Sequence, residues 1–165
     1  MEIDIENTVR SYGDMVLRLA VVNTKNMAEA EDIFQEVFLQ LIRNKECIRD
    51  QEHLKSWLIR VTINKSRSYL TSFWNKFTQG FGEAEEVEDE EAIRVLFSKE
   101  SLSDVTRAIL EMPLKYRKAI HLYYYEGFST KEVADILGKN ESTLRCELSR
   151  GRKMLEKKLG EAVAL

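Results

Sequence analysis

Ser129-Thr130-Lys131-Glu132 constrains the fold more than any other stretch of this chain. The serine side chain there can accept the glutamate's backbone N–H while the glutamate carboxylate accepts the serine's, so a helix begins at this point. That helix carries Val133, Ala134, Ile136 and Leu137, breaks at Gly138-Lys139-Asn140, and is followed by a second from Glu141 to Leu159. Ala134, Gly138 and Leu144 supply what a helix-turn-helix needs: a small residue where helices cross, a permissive turn, and an apolar core residue on the second helix. The second helix holds Arg145, Arg150, Arg152, Lys153, Lys157 and Lys158 against Glu147 and Glu156. Such a helix suits a major groove with phosphates on either side, whereas a merely structural motif would leave it as a solvated basic face. Glu147 is the odd residue: facing the groove it would accept from cytosine, and otherwise it would repel phosphate.

Upstream, Pro113 marks a helix start, and Ala119, Ile120, Leu122 and Tyr123 form the apolar run of a supporting helix that closes a small tri- or tetrahelical domain. His121 lies in that run and reads as a packed residue, because no His, Cys or Ser partner stands at catalytic spacing. The chain's single Pro and seven Gly are too few for the turn-punctuated strands of a sandwich or barrel, so the expected class is all-α. Its 165 residues allow one ordinary domain or two small ones.

In the N-terminal part, Asn26 followed by Glu29 resembles another helix cap. After it Ala30, Ile33, Phe34, Val37, Phe38, Leu41 and Ile42 recur at three-and-four spacing, which predicts an amphipathic helix with these residues inward. Its other face presents Glu31, Asp32, Gln35, Glu36 and Gln40, either an ordinary wet surface or a stripe that docks a basic partner. A helix over roughly Ile5 to Val22, with Val9, Tyr12, Val16, Leu19 and Ala20 inward, and another from Leu54 to about Trp74 complete a small bundle. In the latter, Leu54, Trp57, Leu58 and Val61 supply a core stripe, and Arg60, Asn64, Lys65, Arg67, Tyr69, Phe73, Trp74 and Phe77 follow. Bases interleaved with aromatics suit single-stranded nucleic acid, because phosphates attract the cations and a ring can cover an unstacked base. Aromatics at helical spacing are equally a core signature.

The net charge of −3 hides a segregation: residues 1–75 carry −1, 76–105 carry −6 and 106–165 carry +4, while His53 through Gly82 contain five bases and no acid. Glu83-Ala84-Glu85-Glu86-Val87-Glu88-Asp89-Glu90-Glu91 is a self-repelling block, read as part of a flexible acidic linker over 77–103 between modules at 1–76 and 104–165. A carboxylate metal site there is disfavoured, since successive acids point in different directions and no His or Cys stands nearby. Cys47 and Cys146 lie far apart, outside any disulfide or CxxC pattern, and are expected as reduced thiols. The acidic N-terminus lacks the basic and apolar regions of a signal peptide, and no stretch reaches the roughly 18 apolar residues of a membrane span. The expectation is a cytoplasmic protein with no membrane insertion, no cofactor and no metal.

Met112-Pro113-Leu114-Lys115-Tyr116-Arg117, Tyr125-Glu126-Gly127-Phe128-Ser129 and Leu148-Ser149-Arg150-Gly151-Arg152-Lys153 strongly resemble the last module of a bacterial RNA polymerase sigma factor of the extracytoplasmic-function group, in the sigma-70 family. Glu31-Asp32-Ile33-Phe34-Gln35-Glu36-Val37-Phe38 and Leu54-Lys55-Ser56-Trp57-Leu58-Ile59-Arg60-Val61-Thr62-Ile63-Asn64 resemble that family's other module, and the likeness spans roughly residues 5–75 and 104–160. The resemblance implies a transcription initiation factor with no chemistry of its own, built from a region 2-like bundle and a region 4-like helix-turn-helix domain. The first module would bind the clamp of core RNA polymerase through Asp32, Gln35 and Glu36, and capture the melted minus-ten element of promoter DNA with the loop around Ile48 and with Arg60, Asn64 and Arg67. The second would read the duplex minus-thirty-five element through Ser142, Arg145, Cys146, Ser149, Arg150 and Lys153, and the polymerase flap is implied as a further contact of the protein. A separate anti-sigma factor is implied as a partner, and the linker would lie in the polymerase's RNA exit path. Three places depart from the family's habit: Ile48 stands where an aromatic is frequent, Thr71-Ser72 replace a basic pair, and Glu147 stands where a base is common. The rival reading is a stand-alone helix-turn-helix regulator, which has no need of the first module's acid-and-amide face or its acid-free aromatic helix.

Overall fold

The computed structural model describes the backbone of residues 1–78 and 103–160 and the side chains of 1–72 and 104–160. The acidic run and the side chains of Phe73, Trp74 and Phe77 therefore lie outside the described residues. Two compact units emerge, Met1–Ile93 and Arg94–Leu165. All regular structure among the described residues is helical.

In the first unit Asp4 accepts the Asn7 N–H at 3.2 Å and starts α1, Ile5–Thr24. Lys25 ends it in a left-handed conformation with its N–H bonded to the Val21 carbonyl. Asn26 then caps α2, Met27–Asn44, by accepting from the Glu29 N–H at 3.1 Å. These local bonds satisfy amides that a helix start leaves orphaned, which is why both boundaries are written in the sequence. Val16, Leu19 and Ala20 of α1 and Ala30, Ile33, Val37 and Leu41 of α2 are buried. Each large side chain so covered contributes on the order of 1.5–3 kcal/mol. A single 3-10 turn, Lys45–Cys47, leads to the cap Asp50, whose carboxylate accepts the His53 N–H at 2.7 Å, and to α3, Gln51–Thr78. Leu54, Leu58, Ile59 and Ile63 are fully covered, and the buried Thr62 and Ser66 hydroxyls donate back to the Leu58 and Thr62 carbonyls.

The inward set of α2 is narrower than its periodicity predicts. Ile42, expected inside, is 48% exposed. It sits about 100° round the helix from Leu41, at the edge of the apolar arc, and among the described residues no helix covers that edge. On α3 the corresponding correction is Trp57, half-buried at the rim of the core while Ile59 and Ile63 take the interior.

In the second unit α4, Ser103–Leu110, ends against the buried Arg117, whose Nη1 donates to the Met112 carbonyl at 3.0 Å. Pro113 precedes α5, Leu114–Ile120, and the chain then widens into a π-helical turn, His121–Tyr125. His121 is buried in that turn, stacked on the Tyr125 ring at 5.3 Å with Nε2 3.2 Å from Glu126, as a packed residue would be. The capping box forms as read: Ser129 accepts the Glu132 N–H and the Glu132 carboxylate accepts the Ser129 N–H. It opens α6, Thr130–Leu137, and Gly138 at φ 66° reverses the chain into α7, Glu141–Leu159. Glycine takes that left-handed conformation without the Cβ penalty other residues incur.

Candidate nucleic-acid interfaces

On α2 the side chains of Asp32, Gln35 and Glu36 are all exposed. Leu39, 45% exposed, and Ile42 extend the same stripe at three-and-four spacing. Acid and amide therefore stand beside exposed aliphatic surface on one helical face, a mixture suited to a protein partner with both basic and apolar groups. Lys65 of α3, half-buried, forms an ion pair with the exposed Glu36 at 3.8 Å, a solvent-screened contact that adds little stability. Sequence reasoning missed Leu39, which a helical projection centred on Ile33, Val37 and Leu41 places outside.

The loop before α3 is held by its own bonds: the Arg49 N–H donates to His53 Nδ1 at 3.1 Å, and Asp50 caps the helix. Arg49, Asp50, Glu52, His53, Ser56, Trp57 and Arg60 line an open cleft of about 380 Å³ beside it. From its rim Arg60, Asn64 and Arg67 continue along one exposed face of α3. Ile48 does not join them. Its side chain is only 3% exposed, so it is packed into the unit and does not present itself on that face. The cleft arises from loop and helix together, which is why periodicity alone did not show it.

In the second unit Leu144, Leu148 and Leu155 fix α7 with one face inward. Ser142, Arg145, Cys146, Arg150 and Lys153 are exposed and Ser149 is half-buried, and all six fall on one side of the helix. Arg145 lies 2.8 Å from Glu141 Oε1, and that same oxygen accepts the Thr130 hydroxyl at 2.8 Å. Glu147 takes neither course considered for it. It is buried on the inner side of α7, with both carboxylate oxygens 2.8 Å from Lys139 Nζ. Arg152 donates to the Tyr124 hydroxyl at 2.8 Å, and Lys158 to Glu111 at 3.0 Å. The exposed face is thus cationic and hydroxyl-bearing, while the one acid in mid-helix is neutralised underneath.

Among the described residues no group of three or more His, Cys, Asp or Glu is placed to hold a metal ion, and no helix is long and apolar enough to cross a membrane.

Comparison with known proteins matches residues 8–75 to the family model for sigma-70 region 2 and residues 102–155 to that for sigma-70 region 4. The chain is 29% identical over 142 residues to RNA polymerase sigma factor SigV of Bacillus subtilis, covering 84% of this chain and 80% of that protein. It is also 29% identical over 161 residues to the ECF RNA polymerase sigma factor SigW of the same organism, covering 90% and 84%. In fold it is similar to the sigma factor RpoE from Bartonella quintana, solved in complex with the anti-sigma factor NepR, with a TM-score of 0.79 at 20% identity over 96% of this chain and 98% of that one. A second likeness is to CnrH in complex with the cytosolic domain of CnrY, with a TM-score of 0.65 at 18% identity over 96% and 89%. With the two region models matched in order along one chain, each on its own helical unit, this protein belongs to the extracytoplasmic-function group of the sigma-70 family.

Proposed function

We propose that this chain is the promoter-specificity subunit of a bacterial RNA polymerase: it binds the core enzyme, directs it to particular promoters and promotes initiation, while the polymerase carries out the chemistry. The observation that carries this reading is the joint presence of region 2 and region 4 on one chain. Asp32, Gln35 and Glu36, with Leu39 and Ile42 beside them, suit the polymerase clamp. Arg60, Asn64 and Arg67 suit a melted minus-ten strand, with cations for phosphate and the neighbouring cleft for an unstacked base. Ser142, Arg145, Cys146, Ser149, Arg150 and Lys153 suit the edges and phosphates of a duplex minus-thirty-five element in the major groove. Because one similar solved structure is a sigma factor in complex with an anti-sigma factor, a separate anti-sigma factor is a further proposed partner, and a role on polymerase and promoter DNA fits a cytoplasmic protein. A stand-alone regulator is less well supported, since it leaves the exposed aliphatic and acidic face of α2 without a use.

Gel filtration with core polymerase, followed by run-off transcription from a promoter library, tests the reading. Co-elution at micromolar concentration and promoter-dependent transcripts are expected. Duplex binding without co-elution would replace it with the regulator.

A further inference from the structure

One oxygen of Glu141 serves two donors. It accepts from the Thr130 hydroxyl, on the first residue of α6, and from the Arg145 guanidinium one turn along α7, both at 2.8 Å. The carboxylate therefore ties the first helix of the helix-turn-helix to the most upstream arginine of the exposed face of the second. An exposed Glu–Arg pair four residues apart stabilises a helix only slightly, because ordering two long side chains offsets most of the Coulomb gain. Here the first of those two side chains is already held by Thr130. Glu141 also stands in the first turn of α7, where the helix dipole favours an anion. The arrangement serves Arg145 more than it serves stability.

We propose that Glu141 is a specificity-determining positioning residue: anchored by Thr130, it aims the Arg145 guanidinium at a guanine edge and keeps it from settling on a phosphate. The proposal rests on the reading of α7 as the duplex-reading helix. A guanidinium has five N–H donors in a rigid fork, so one bond to Glu141 leaves a pair free for the O6 and N7 acceptors of guanine. The carboxylate acts on the alternatives as well. It offsets the positive charge that draws an arginine to the backbone, and a phosphate reaching Arg145 would be brought close to Glu141 and repelled. Sequence readout and discrimination against backbone contact then come from the same residue.

The test uses holoenzyme assembled from the full chain and core polymerase, presented with a promoter pool randomised across the minus-thirty-five element. Wild type is compared with R145A, E141A, E141Q and T130V, all first checked for an unchanged helical circular dichroism spectrum. R145A should abolish the preference at one base pair. E141A and T130V should reduce the preference at that same base pair by roughly three- to tenfold, and E141A should steepen the fall of log affinity with log salt by about one. E141Q, which keeps an acceptor but no charge, should retain more of the base preference than E141A and share its steeper salt dependence. If R145A loses the preference while E141A and T130V keep it at wild-type strength, the positioning role is overturned and base reading by Arg145 stands. If R145A itself changes no preference, both fail together.

Discussion

Both carboxylate oxygens of Glu147 lie 2.8 Å from Lys139 Nζ, joining the middle of α7 to the residue that follows Gly138 in the turn. Lys139 is fixed a second time through its backbone, whose N–H donates to the Ala134 carbonyl at 2.9 Å. The turn that sets the direction of α7 is therefore held at both ends of one lysine. Replacing Lys139 by Ala leaves a nearly covered carboxylate without that partner and should cost about 1–3 kcal/mol, read as a lower thermal midpoint of the second unit. Glu147→Gln should cost less, because a neutral amide tolerates burial and still accepts a hydrogen bond.

Gly151 lies where α7 crosses α5. A Cβ there would stand 2.9 Å from Ile120 Cγ1 and 3.3 Å from Met112 Cε, both in the core. The helix-propensity gain of alanine, about 1 kcal/mol, is opposed by overpacking of about 1–3 kcal/mol. Gly151→Ala should lower the melting temperature, and an unchanged or raised one would show that Ile120 yields freely.

The exposed face of α2 separates binding from folding. Leu39→Ser with Ile42→Ser removes aliphatic surface that the fold leaves uncovered, so thermal stability should change by less than about 0.5 kcal/mol. Affinity for core polymerase should fall by roughly tenfold or more, measured by fluorescence titration. Gln35→Ala with Glu36→Ala should lower affinity in the same assay, and unaltered binding in both variants would show the face to be merely wet.

Arg60→Ala and Asn64→Ala should each weaken holoenzyme binding to a single-stranded minus-ten oligonucleotide by about 0.5–3 kcal/mol, the span from a neutral hydrogen bond to one involving a charged group. Duplex minus-thirty-five binding should persist, since these residues and α7 belong to different units. Equal losses on both probes would indicate a general electrostatic contribution.

Helix starts and stops were legible because they are local. Asn26, Ser129, Glu132 and Gly138 act on backbone groups within a few residues, and a cap or a left-handed turn needs nothing from the rest of the molecule. For the same reason the sequence alone determined an all-helical chain, the helix-turn-helix and its basic second helix. It also carried the resemblance that the region models later matched.

Which residue at the margin of an apolar stripe is covered was decided only by tertiary structure. Periodicity defines a face to within about one residue's 100° step, and packing of a second helix settles the remainder. Ile42 lay at that margin and came out exposed; Ile48, assigned to DNA, came out buried; Trp57 moved from core to cleft rim. Glu147 shows the limit most sharply, since its charge could be read from the sequence but its partner, eight residues back across a reversed turn, exists only once Gly138 has folded the two helices together.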